Sequence, residues 1–135
     1  MTAVHRLFRR GGWHALHVAL WSTWCCLRVR WQLRRGGIDL VRLSAPPKSE
    51  DQDRRIAVAV LRRMGASCLE RSLVLQRWHA GQQSRRVLVI GVTAPSRGFH
   101  AHAWLDGDSD GVPEMVVILR RPPPDAWLST VGQDR

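Results

Sequence analysis

Apolar residues recur at helical spacing in the first part of the chain and at strand spacing in the second. Between arginine-rich flanks, residues 13–27 are almost entirely apolar, which predicts one or two short helices in a basic, tryptophan-rich arm. After a proline-containing linker, apolar residues three or four positions apart predict a helix over about 50–64, opened by a capping box at Ser49 and Gln52.

A second helix is predicted to begin at Cys68. Gly65 interrupts the preceding helix, and Ser67 followed by Glu70 repeats the capping-box pattern. This pattern places Cys68 at the first helical position, and apolar side chains continue at helical spacing until Gly81 ends the helix.

The rest of the chain has the β-branched content and alternation of strands. The predicted strands are 87–92, 99–105 and 115–119. Between the last two, the acidic and glycine-containing segment 106–113 predicts a hairpin that pairs them directly. Helices followed by antiparallel strands indicate an α+β fold, with N-terminal helices packed on a small antiparallel sheet. We expect a helical arm over 1–45 and a domain over 46–135.

Length and charge narrow the function classes. With 135 residues the chain has room for one domain and one site. Its formal net charge of +10 suits an anionic partner and does not choose among nucleic acid, an anionic membrane surface and an acidic peptide. A signal peptide or membrane span over 13–27 is disfavoured, because this run is short and contains His14 and His17.

The cysteines indicate a reducing compartment. Their number is odd, and Cys25 and Cys26 are adjacent within an apolar helix, unlike the even framework of a secreted disulfide domain. We therefore expect a cytoplasmic protein in which Cys25 and Cys26 are packing residues.

Cys68 and His102 form the candidate catalytic pair. Free amides and the positive dipole end of a helix stabilise the nucleophilic thiolate of a cysteine at its first position. Downstream, alternation in FHAHAW places His100, His102 and Trp104 on one strand face. A cysteine at a helix start that faces a histidine on a central antiparallel strand is the papain-type arrangement, in which imidazole accepts the thiol proton and delivers it to the leaving amine.

Three segments resemble a known family over about residues 50–120. The strings CLERSLVLQRWHAG, VLVIGV and FHAHAWLDGD are similar to the transglutaminase-like cysteine peptidase domain of lasso-peptide maturation enzymes. That family combines a Cys-Leu helix start, a Gly-Val strand end and an Ala-His-Ala-Trp motif before an acidic hairpin. The resemblance implies a transglutaminase-like (papain-like) fold and a leader peptidase without a cofactor, with Cys68 as nucleophile and His102 as base.

The third catalytic group has several candidates. The family's aspartate lies at the start of the next strand, where this chain has Glu114. A hairpin centred near Ser109 would bring Glu114 to the face that carries His102. Because an orienting carboxylate is defined by geometry rather than by position, other acidic residues stay open. They are Asp106, Asp108 and Asp110.

The resemblance also implies a reaction and partners. The peptidase would cleave the precursor just before the core peptide, and a separate ATP-using cyclase, a further candidate partner, would then use the freed amine. Only about 45 residues precede the peptidase region, so a winged-helix recognition domain is not expected and a separate leader-recognition protein is implied. We expect the basic, apolar face of residues 6–35 to contact that protein or the leader, and contact with a membrane surface stays open.

Other interpretations rest on the residues alone. Asp106–Gly111 matches the opening half of a calcium loop, but Val117 stands where the loop needs its twelfth-position glutamate. The two strand histidines could bind zinc with Cys68 or His79.

The arm could bind nucleic acid or act as a non-catalytic interaction module, although it contains no recognised reading module, so nucleic acid is not expected. A transamidase on the same fold would capture the thioester with an amine.

Overall fold

The computed structural model describes residues 12–47, 51–93, 98, 100–107 and 115–128. The helices there are α1 (Gly12–Gly36), α2 (Asp51–Arg63), α3 (Cys68–Gly81) and α4 (Asp125–Leu128), and a 3-10 turn spans Ile38–Leu40. The strands are β1 (Leu88–Val92), β2 (Ala101–Leu105) and β3 (Val116–Arg121). The predicted α+β class is confirmed, while the capping box at Ser49 and Gln52 lies outside the residues whose side chains are described.

Helix α1 is one continuous helix of 25 residues, where the sequence predicted one or two short ones. No proline or glycine interrupts it, and it ends where Gly37 adopts a φ of 82°. One face, which includes Trp21, Cys25 and Val29, belongs to the same core cluster as residues of α2, α3 and the sheet. Among the described residues, no helix is long and apolar enough to cross a membrane.

Helix α3 is the central element of the fold. Its residues 72–80 are all buried, because α1 and α2 pack on one side and the sheet on another. Polar side chains within this stretch bind neighbouring backbone groups, as buried polar atoms require. The fully buried Gln76 donates from Nε2 to Arg86 O and to Arg121 O, both at 2.9 Å. This side chain therefore ties α3 to the segment before β1 and to the end of β3.

The sheet has the order β2-β1-β3, and both neighbours of β1 are antiparallel to it. The predicted hairpin that would pair β2 directly with β3 is therefore wrong, and so is the prediction of a central position for the His102 strand. The physical reason is burial. Strand β1 is continuously apolar, and a central position between two strands removes more of its apolar surface from water than an edge position would. His102 lies on an edge strand, opposite Gly91 of β1.

Candidate active site

Cys68 occupies the first position of α3, as predicted. Gly65, with a φ of 65°, ends the preceding helix in a left-handed conformation that favours glycine. Ser67 caps α3, because its Oγ accepts a hydrogen bond from the Glu70 backbone amide at 3.2 Å. Cys68 is half-buried and therefore lies, partly exposed, at the positive end of the helix.

The other two thiols are inaccessible. Cys25 and Cys26 are each 0% exposed within the core of α1, which confirms that they are packing residues. Burial raises the pKa of Cys25 to about 12, and burial also raises the pKa of Cys26. Both stay protonated at neutral pH, and of the three cysteines, all of which the structure describes, Cys68 is the partly exposed one.

Glu70 makes a different contact from the one that the capping box predicts. Its Oε2 accepts a hydrogen bond from Arg30 Nε at 2.7 Å, and the Arg30 guanidinium also donates to Met64 O at 2.6 Å. The positive charge of Arg30 is therefore paired with the carboxylate in the first turn of α3. Arg30 also fixes the start of α3 against α1.

Helix α3 meets β2 one turn after Cys68. Ser72 Oγ donates to Ala103 O at 3.3 Å, and Ser72 lies on the same face of α3 as Cys68. Ala103 directly follows His102 in β2 and is buried in the core, as is Leu105. The structure therefore brings the helical turn that starts with Cys68 next to the strand that carries His102.

The His102 side chain lies on the other face of β2. Strand alternation separates it from Ala103 and Leu105, and its ring stacks on Trp104 with a centroid distance of 5.9 Å and an interplanar angle of 19°. The predicted sharing of one face by His102 and Trp104 is confirmed. Within the described residues, no hydrogen bond joins the Cys68 thiol to the His102 ring.

Gly91 makes room for Trp104 above β1. A Cβ at Gly91 would lie 2.8 Å from Trp104 Cη2 and 3.1 Å from Met115 Cβ. Only a residue without a side chain leaves this space, and the Trp104 ring that fills it supports the ring of His102. A glycine within a strand pattern is the signal of such a close approach.

Gly91→Ala is expected to displace Trp104 and to lower the free energy of unfolding by about 1–3 kcal/mol, the usual cost of overpacking. Thermal unfolding followed by circular dichroism measures this change. Gly12→Ala is the matched control, because nothing lies within 4 Å of the Cβ that it adds. A Gly91→Ala protein as stable as the native chain would show that Trp104 moves without cost.

The carboxylates proposed to orient His102 are only partly described. Glu114, Asp108 and Asp110 lie outside the described residues, and the hairpin pairing that favoured Glu114 is absent from the sheet. Asp106 is described, and its Oδ1 accepts a hydrogen bond from the Val87 amide at 2.6 Å. This carboxylate caps the entrance to β1.

The described residues of the calcium and zinc alternatives form no metal-binding cluster. Most of the acidic turn after Asp106 lies outside the described residues. No three His, Cys, Asp or Glu side chains cluster in the part of the chain that the structure describes. His79 is buried near the end of α3, far along that helix from Cys68, and His100 is exposed before β2.

Two residues that support the site were not predicted. Arg30 and Ser72 act through contacts with residues far away in sequence, and neither belongs to a local motif. The available signals were weak: a single arginine on the core side of the arm, and a serine within an otherwise apolar helix.

A capped, half-buried cysteine at the start of a buried helix, packed on an antiparallel sheet that includes a histidine-bearing strand, is typical of papain-like folds. The model of the transglutaminase-like superfamily matches residues 23–117, more than half of the chain. The chain therefore belongs to the transglutaminase-like superfamily. The match begins within α1 and extends into β3. Comparison with curated proteins and comparison with solved structures give no significant match.

Proposed function

We propose that the protein is a cysteine peptidase that removes the leader from a lasso-peptide precursor. The observation that carries this proposal is the Cys68 thiol, half-buried at the capped start of α3 and one helical turn from the contact with β2. The superfamily match supports chemistry at a cysteine, and the Ala101-His102-Ala103-Trp104 motif supports the narrower peptidase family.

In the proposed reaction, the Cys68 thiol transfers its proton to His102 and Sγ attacks the carbonyl carbon of the peptide bond before the core. The carbon–nitrogen bond breaks as His102 returns the proton to the departing amine. Water then attacks the acyl-thioester and releases the leader as a carboxylic acid, which regenerates the thiol. The freed amine becomes the N-terminus of the core peptide.

This reaction requires the His102 ring to approach Cys68 around the open edge of β2. The strand is at the edge of the described sheet, so no neighbouring strand blocks that path. Catalytic hydrogen bonds often form only when substrate is bound. Because the His102 side chain lies on the face of β2 opposite Ala103, this approach requires β2 itself to twist or shift in addition to the ring leaving its stack on Trp104. We propose Glu114 as the orienting carboxylate on the family pattern alone.

The proposed substrate is delivered by a separate leader-recognition protein in the cytoplasm. The family resemblance supports this arrangement, and the lasso cyclase that consumes the product is a further candidate partner. The net charge of +10 is compatible with an acidic leader or with an acidic surface on the recognition protein.

A transamidase is the second candidate, because the superfamily match does not distinguish capture of the thioester by water from capture by an amine. The two reactions give different products. Hydrolysis yields fragments whose masses sum to the precursor plus one water, whereas transamidation joins the acyl fragment to the amine that captures it.

Mass spectrometry of a candidate precursor incubated with its recognition protein and this chain tests the proposal. We expect a leader fragment and a core fragment that together contain one added water. A joined product would identify the transamidase instead. An intact precursor, in the presence of a recognition protein shown to bind it, would point to a non-catalytic interaction module.

A further inference from the structure

Helix α1 carries a row of large apolar side chains on its solvent side. We call this row the outer seam: Trp13, Leu20, Trp24, Leu27 and Trp31, which are exposed by 87%, 60%, 58%, 50% and 52%. Successive members are seven, four, three and four residues apart. They fall within an arc of about 60° on the helix. This is the alternating spacing of the a and d positions in a coiled-coil seam.

The outer seam is separate from the face that builds the core. Val18, Cys25 and Val29 lie on nearly the opposite side of α1 and are fully buried. A helix that is apolar on both sides has more apolar surface than its own fold covers. The core face fixes α1 against α2 and α3, so the outer seam is a rigid ridge on the protein surface.

Two arginines flank the outer seam, seven residues apart. Arg28 lies over the Trp24 ring at 6.0 Å and the Trp31 ring at 5.9 Å, and Arg35 lies over Trp31 at 4.9 Å. Both occupy the heptad e position, which determines partner choice in coiled coils. No carboxylate lies within ion-pair distance of Arg28 in the described part of the chain.

The charges identify the kind of occupant. Helix α1 contains no Asp or Glu, so a second copy would place arginine against arginine. The spacing of the seam favours a facing helix over a bilayer surface, because insertion at a membrane interface needs only an apolar arc, whereas the alternating a and d spacing matches a second helix. An acidic helix satisfies both requirements: its apolar side chains cover the rings, and its carboxylates reach the guanidinium groups.

We propose that the outer seam docks one amphipathic α-helix of a partner protein, whose apolar seam is flanked by Asp and Glu. The inference does not depend on the catalytic role of Cys68. The exposed half of α1 would then bind the partner helix in two ways. Its apolar side chains would pack against the partner's apolar seam, and Arg28 and Arg35 would pair with the partner's carboxylates.

The test uses the full chain and synthetic helical peptides of about three heptads with Leu at a and d. One peptide carries Glu at e and g, and its matched partner carries Lys there. Fluorescence anisotropy of the labelled peptides is expected to show binding of the Glu peptide and none of the Lys peptide. Arg28→Glu should weaken binding of the Glu peptide at least about tenfold.

Arg63→Glu is the matched control, because it makes the same charge change at an exposed position of α2. It should leave the affinity for the Glu peptide within about twofold, since distant rim charges contribute little. Equal loss in both variants, or equal binding of the Glu and Lys peptides, would overturn the proposal. Absence of binding to the Glu peptide would also overturn it, whether the chain instead adsorbs to phosphatidylglycerol vesicles or associates with itself.

Discussion

Cys68→Ala is expected to reduce the rate of leader release by about a thousandfold or more, because loss of the nucleophile removes the covalent pathway. The same change should alter the free energy of unfolding by less than about 1 kcal/mol, since the side chain is only half-buried and alanine is a good helix former. Chromatography of the precursor digest measures the rate, and thermal unfolding measures stability.

Cys26→Ala is the matched control for this prediction. It deletes the same thiol group from a fully buried site, so it should lower stability by about 1–2 kcal/mol through the cavity it leaves. Below its unfolding temperature the Cys26→Ala protein should retain activity. If both variants lost activity to the same extent, the cause would be weakened folding and Cys68 would have no special role.

His102→Gln is expected to lower the rate by about 10²–10⁴-fold, the range for loss of a general acid–base. Glutamine keeps a planar polar group at the strand position but cannot shuttle a proton near neutral pH. The rate of Cys68 alkylation by iodoacetamide provides a second readout, since a base that assists thiolate formation should accelerate it.

Trp104→Phe is the comparison for this variant. Phenylalanine keeps an aromatic ring against His102 and Gly91, so its effect on the rate should be smaller than that of His102→Gln. A His102→Gln enzyme with native rates of cleavage and of alkylation would exclude His102 as the base and redirect attention to another proton acceptor.

The elements of the fold were predictable because their signals are local. Gly65 and Ser67 fixed the start of α3 at Cys68, and alternation placed His102 and Trp104 on one face of a strand. The caps and the periodicity both depend on residues within a few positions of one another. The site residues Cys68 and His102 stay predictions, since nothing in the described geometry joins their side chains.

The arrangement of the strands was not predictable in the same way. A short acidic turn between β2 and β3 favoured a hairpin, yet both strands pair with β1. The buried Gln76 side chain donates to Arg86 O before β1 and to Arg121 O at the end of β3, and this contact helps to hold β3 beside β1. Such contacts join positions far apart in sequence, where local patterns carry no information.

The length of α1 illustrates the same limit. The charges and tryptophans of residues 12–36 predicted a helical arm of one or two short helices, whereas tertiary contacts hold it as one helix. Trp21 Nε1 donates to Ser44 O at 3.2 Å, and Gln32 exchanges two hydrogen bonds with the backbone of Arg42. These contacts fasten the returning chain along α1, so the arm packs as part of one core with the other helices.

Trapping the acyl group with hydroxylamine during turnover tests the central claim most directly, that Cys68 forms a thioester with the leader. We expect the native chain, its recognition protein and the precursor to yield leader hydroxamate in place of part of the leader acid, detected by mass. Cys68→Ala should yield neither. The thioester would be excluded if saturating hydroxylamine gave leader acid and no hydroxamate, and if Cys68→Ala produced that acid equally well.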